Sequence, residues 1–416
     1  MPSGGLLRVI GCAALALLWA TLPAAAAKRM FVTSASGNGN LSSWPQAGGH
    51  TGLAAGDAIC QSLAAAAGLA DASLFRAWLS TSTTDAYCHV AGFSGKKSAT
   101  CGQGSLPDAG PWQRTDGVSF SHRLSDLTTT FDILHPPLAD ENGNVDPLDW
   151  TVFTATSGDG TFSNAGQNAA CNGWQSASNS QSVITGRVDA GALAWTAYSS
   201  WTCDQILRLL CFDPGTGGAL PNNPASPGAW VFVTSASGPG DLGLWPQAGG
   251  STGVAAGDAI CRNLATAGHL PAAQTYVAWL SVAGSPAIAR ITTDGPFRRP
   301  GGVQIAASKA GLLASPFLES DVEADDLGDH LSEYVATGSD SNGQPTGDDC
   351  SGWTDAGAGA TFSAGRSSFA SSKWTTGLPG ECALSGTHLL CFSNVVILFA
   401  DGFESGNTSA WSASAP

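Results

Sequence analysis

Two long stretches of the chain each open and close on a short apolar run. "MFVTS" starts at Met30 and "VFVTS" at Val231; both are β-prone and stop where Ser and Gly take over, which predicts a strand. A polar, Gly-rich loop follows, carrying Trp44-Pro45-Gln46 in the first stretch and Trp245-Pro246-Gln247 in the second. "LAAGDAICQSLAAAAG" (53–68) then predicts a helix. Ile59, Leu63 and Ala66 recur at helical spacing, and Gly68 provides a C-terminal stop. Cys60 lies on or beside this stripe, so a bridge from it would tie the helix to the core. "LFRAWLS" (74–80) and "TYVAWLS" (275–281) read as strands. Short strands and long loops fill the remainder, up to the closing runs "ILRLLCF" (206–212) and "THLLCF" (387–392). The expected class is α+β, loop-rich, with few helices.

The two stretches are one text written twice. "FVTSASGNGNLSSWPQAGGHTGLAAGDAIC" (31–60) returns as "FVTSASGPGDLGLWPQAGGSTGVAAGDAIC" (232–261). A chain of 416 residues suits two domains. The expected division is a signal peptide (1–27), a first repeat (28–213), a Pro/Gly/Asn-rich linker (214–229), a second repeat (230–393) and a C-terminal tail (394–416).

Apolar residues make up 43% of the chain, enough for real cores, and charged residues only 12%. The net charge of −15 repels nucleic acid and anionic lipid, so neither is an expected partner. "MPSGGLLR", the apolar run "VIGCAALALLWATLP" and "AAAA" follow the pattern of a cleaved export signal. Val9-Ile10-Gly11-Cys12 has the form of a lipobox, but most of the apolar run follows Cys12, which favours ordinary secretion. No segment reads as a membrane span. The expected location is secreted or cell-surface.

Eleven cysteines are present, and Cys12 belongs to the leader. Cys60, Cys171, Cys203 and Cys211 align with Cys261, Cys350, Cys382 and Cys391. Cys88 and Cys101 have no counterparts and are expected to pair with each other. An exported chain with an even count favours disulfides. Four cysteines per repeat leave three connectivities open. Zinc is disfavoured because no CxxC spacing occurs.

Taken together, these residues resemble the endostatin-like branch of the C-type-lectin-like fold, including the bacterial domain family found in leptospiral endostatin-like surface proteins. The resemblance is carried by Asp57 to Cys60 and Asp258 to Cys261, and by "FRAWLS" (75–80) followed by Asp85 and Tyr87. It continues in "DWTVFTATSGDG" (149–160) and "EYVATGSDSNG" (333–343). Cys171 to Trp174 and Cys350 to Trp353, the pairs Gly186-Arg187 and Gly365-Arg366, and the closing "LLCF" complete it. It implies nested disulfides: Cys60 with Cys211 and Cys171 with Cys203, then Cys261 with Cys391 and Cys350 with Cys382. The outer first-repeat bridge would close a loop of about 150 residues and contribute on the order of 5 kcal/mol.

Several residues invite a functional reading. Trp44 and Trp245 are candidate ligand-stacking platforms; as core covers beside a fixed turn they have a simpler explanation. Asp57 and Asp258 are read as helix-start residues that cap or suit the dipole. Trp174 and Trp353 are expected to pack on disulfides. "ADENGNVDPLD" (139–149) places Asp140, Asn142, Asn144 and Asp146 as candidate calcium ligands. Val145, where such a loop wants Gly, and the missing downstream Glu favour a solvated acidic loop. The matching region of the second repeat holds Asp321, Glu323, Asp325, Asp326 and Asp329 without that spacing.

The sugar-binding calcium motifs of C-type lectins are absent, as are endostatin's arginine clusters and its N-terminal zinc histidines. The seven histidines are scattered, and His50 is replaced by Ser251 in the second repeat. No HExxH, GxSxG or phosphate loop occurs. "FADGFESGNTSAWS" resembles a terminal segment of other exported bacterial proteins. The expected function is therefore non-catalytic binding of an extracellular glycan or matrix-type protein, with avidity from two linked copies and calcium the one candidate cofactor. A structural envelope component is the alternative, and an extracellular hydrolase the third reading.

Overall fold

The apolar runs that open and close each repeat lie side by side. In the computed structural model, Met1 and residues 26–145, 151–164, 169–220, 227–313 and 316–397 are described. Most of the expected signal peptide and of the tail falls outside these ranges.

The strands of the first repeat are β1 (Lys28–Val32), β2 (Arg76–Ala77), β3 (Trp112–Arg114), β4 (Ser119–Ser121), β5 (Thr151–Phe153), β6 (Ser182–Arg187), β7 (Ser199–Thr202) and β8 (Leu210–Phe212). Those of the second are β9 (Ala229–Val233), β10 (Tyr276–Ala278), β11 (Phe297–Arg298), β12 (Gln304–Ala306), β13 (Tyr334–Ala336), β14 (Thr361–Arg366), β15 (Leu378–Glu381) and β16 (Leu390–Ser393). Five-stranded sheets run β2-β8-β1-β3-β4 and β10-β16-β9-β11-β12, and three-stranded sheets β5-β6-β7 and β13-β14-β15. The class is α+β, and the second half repeats the topology of the first.

β1 pairs antiparallel with β8 through Phe31 and Cys211, and parallel with β3. Both faces of β8 are buried. Leu209 and Cys211 join Phe31, Ile59 and Trp174 in one core; Leu210 and Phe212 join Trp78, Trp112 and Trp195 in another. Burial on both faces explains why "LLCF" is an unbroken apolar run rather than an alternating one. "LFRAWLS" is strand only at Arg76–Ala77. Beyond it the Leu79 N–H turns back to the Ala77 carbonyl, yet the alternation persists, with Phe75, Ala77 and Leu79 in one core and Trp78 in the other.

The duplicated word "AAGDAIC" joins three devices in one helix, Gly52–Ala66 in the first repeat and Gly253–Ala267 in the second. Gly56 lets the helix approach the sheet: a Cβ there would sit 2.8 Å from Leu79 Cδ1 and 3.1 Å from Ala77 Cβ. Asp57 accepts the Ala77 N–H at 3.0 Å and contacts His89 at 2.7 Å and Arg76 at 3.1 Å. Asp258 accepts the Ala278 N–H at 2.9 Å and an Arg290 N–H. The expectation that these aspartates cap the helix is corrected, because they sit beyond its first turn and fasten it to β2 and β10. Cys60 and Cys261 then bridge to Cys211 and Cys391. Cys171–Cys203, Cys350–Cys382 and Cys88–Cys101 are also joined.

The two repeats dock along equivalent segments. With Gly186-Arg187 set against Gly365-Arg366, Gly191 matches Ala370 and Asp189 matches Ser368. The Gly191 N–H donates to the Ser368 carbonyl and the Ala370 N–H to the Asp189 carbonyl, each at 2.8 Å. The contact is therefore a local two-fold, as in an isologous dimer interface. Arg187 lies over the Phe369 ring and Arg366 over the Tyr198 ring, so the repeated Gly-Arg pair serves this junction. The start of the expected linker is held as well: the Gly217 N–H donates to Gly110, and Leu220 is buried. Residues 221–226 lie outside the described ranges.

Candidate functional site: the cleft between the repeats

Docking leaves a cleft of about 700 Å³ between the repeats, and a smaller cavity of about 230 Å³ adjoins it. The first repeat contributes the β3–β4 hairpin at Pro111 and Ser119, and the segment after β4 with His122, Arg123 and Asp126. Leu134 and His135 form the floor, with Leu220 from the linker. The second repeat supplies the β11–β12 turn at Gly301, Gly302 and Val303. Gly301 and Gly302 have φ of +92° and +89°, a turn that glycine adopts without strain. His122, Leu134, Gly301 and Val303 line both spaces; Asp132, Arg299 and His330 line the smaller one.

The polar groups divide into donors and acceptors. Arg123 and His122 are exposed beside Asp126, on whose carboxyl Arg123 acts electrostatically. Arg123 presents its charge at the cleft surface, whereas Lys28, Lys96 and Arg187 are held in ion pairs with Asp213, Asp85 and Asp189. His135 meets the Ser119 carbonyl through Nδ1 at 2.8 Å. Burial, reinforced by Arg299 and Arg114, lowers its pKa to about 4. It is thus neutral, with Nδ1–H as donor and Nε2 left as an acceptor. Burial raises the Asp126 pKa, and neighbouring Asp132 adds to the effect. An apolar floor with a few convergent donors and acceptors suits recognition of a partly polar ligand.

The residues singled out in the sequence lie elsewhere. Trp44 and Trp245 are only 4% and 3% exposed, and their indole N–H groups donate to Asn38 and Pro239 carbonyls at 3.0 and 2.9 Å. The platform reading is corrected: each ring lies against a glycine, Gly37 or Gly238, where a Cβ would collide with it. Trp174 and Trp353 are fully buried, donating to Ser80 and Ser281 carbonyls.

The candidate calcium loop is described only in part. The Asp140 carboxylate accepts the Asn142 and Asn144 N–H groups at 2.8 and 2.9 Å, and Asn144 turns its amide nitrogen toward it. Asp140 thus closes its own turn, as Asp325 does in the second repeat. Asp146 lies outside the described residues. Among the described residues, no group of three or more His, Cys, Asp or Glu is arranged to hold a metal ion.

The cleft was invisible to motif reading because its walls come from two repeats and a linker. Only the Gly301-Gly302 turn signal was there to be noticed. No family model matches the chain, and no curated protein matches it. Five disulfides fit an oxidising compartment. Among the described residues, no helix is long and apolar enough to cross a membrane.

Proposed function

We propose that the chain is an exported, non-catalytic binding protein that recognises an extracellular glycan or matrix-type protein. Its ligand site would be the cleft between two endostatin-like, C-type-lectin-like repeats. The nested bridges and the repeated topology of the two halves support the fold reading. The observation that carries the functional one is the exposed Arg123 and His122 in one cleft with the neutral acceptor of His135 and the apolar Leu134 and Val303. The cleft needs both repeats, which gives duplication a different use from the one expected. Two docked copies make one composite site, where two independent arms would give avidity.

The test is binding of the full chain to a panel of glycans and matrix proteins, with and without EDTA. Saturable binding that survives EDTA and weakens about tenfold or more in Arg123→Ala supports the reading. Binding untouched by Arg123→Ala and by Val303→Glu places the site elsewhere. No binding at all favours the structural envelope role.

A further inference from the structure

Where the second repeat grips the first, a buried charge cluster is short of one hydrogen. Arg299 is fully buried, and its Nη1 donates to Asp321 Oδ1 at 2.7 Å and Glu323 Oε1 at 2.8 Å. Its Nη2 crosses to the first repeat and donates to the Ile133 carbonyl. Ser320 donates to the Leu134 carbonyl at 2.9 Å, so the same stretch of the first repeat is held twice. The remaining oxygens, Asp321 Oδ2 and Glu323 Oε2, are buried and unpartnered. Both converge on Gly191 of the first repeat. A Cβ there would collide with Asp321 Oδ2 and lie 2.5 Å from Glu323 Oε2. Two buried carboxylates beside one guanidinium leave an excess negative charge, which is costly without water.

We infer that Asp321 and Glu323 share one proton against Gly191, and that this proton fastens the two repeats together. A protonated Asp321 Oδ2 donates to Glu323 Oε2, which satisfies both orphan oxygens and leaves one carboxylate to match Arg299. Loss of the proton sets two anions side by side at the junction, loosening the grip of Arg299 on the first repeat and widening the cleft beside it.

Other groups face this cluster. His330 contacts Glu323 at 3.0 Å and lies 3.7 Å from Asp132 of the first repeat. Asp132 is 3.8 Å from Arg299. Arg299 and Arg114 oppose a charge on His135. The Arg187–Asp189 pair, with Lys373 nearby, flanks Gly191 along the chain. Burial, then Glu323, raises the Asp321 pKa well above its ordinary value. The closed junction therefore binds the proton more tightly than an open one, so closure weakens as pH rises from the ordinary carboxyl range toward that raised value. His135 acts in the opposite sense at lower pH, so a control sharing its titration is needed.

Asp321→Asn is that control, because its amide supplies the missing hydrogen at every pH. Hydrogen exchange would be followed in full-chain peptides spanning 189–195 and 368–374, between about pH 4.5 and pH 8.5, corrected for intrinsic rates. Wild type and variant are expected to match at the acid end. By the alkaline end, wild type should exchange about tenfold faster or more, one pH unit of linkage, while peptides of β8 and β16 stay protected. Equal protection of the two proteins throughout, or an Asp321→Asn chain that fails to dock at acid pH, overturns the inference. Its consequence for the cleft rests on the ligand reading above. The exchange experiment contains no ligand, so either idea can fail without the other.

Discussion

Ala190 and Phe369 occupy equivalent places in the two repeats and face one another across their junction as an antiparallel bridge. Phe369 is fully buried there and meets the Tyr198 ring edge-on at 5.4 Å. Phe369→Ala should weaken the junction by about 3 kcal/mol while sparing both repeat cores. Chemical denaturation would check this. A single transition in the wild type should split or broaden, with lower cooperativity, in the variant.

Asp57 holds the first-repeat helix to β2 by accepting the Ala77 N–H. Asp57→Ala leaves that buried donor unpaired and removes the acceptor facing His89. We expect a loss of about 2 kcal/mol, read as a lowered urea midpoint, with Asp57→Asn costing less because one acceptor oxygen survives.

Tyr276 has the opposite defect. Its hydroxyl is buried without a partner, and burial raises its pKa. The first repeat has Phe75 at the equivalent place. Tyr276→Phe should therefore stabilise the chain by about 1 kcal/mol, seen as a higher Tm.

His135 makes folding sensitive to acid. Its pKa is lowered to about 4 in the folded chain, so between that value and the ordinary histidine range the unfolded chain binds the extra proton. Stability should fall as pH drops through this window, by up to about 3 kcal/mol from this residue. His135→Gln should flatten that part of the pH–stability profile, measured by urea unfolding at stepped pH.

Local features of the fold could be read from the sequence. The helix over Gly52–Ala66 follows from Ile59 and Leu63 at helical spacing, and the β8 run from burial on both faces. The unmatched Cys88 and Cys101 gave their own pairing. What could not be read is set by distance along the chain. Nothing local marks Arg299 as reaching Ile133, or says that His122 and Val303 line one space. The role of Asp57 was misjudged because capping is a contact with near neighbours, whereas its partner is Ala77, 20 positions on. Trp44 was ambiguous because its composition suits a sugar platform and a core cover equally. Gly37 beneath it decides the matter, and only once the loop has folded.

The pairing of β1 with β8, and of β9 with β16, has a consequence for how such a chain can arise. Each repeat starts and finishes at neighbouring points, so a copied gene segment adds a whole fold without threading it through the old one. A connector of modest length suffices, and the original strand pairings need not be broken. The same adjacency makes each repeat a candidate for circular permutation. Joining its ends and opening a surface loop would preserve every bridge and both sheets.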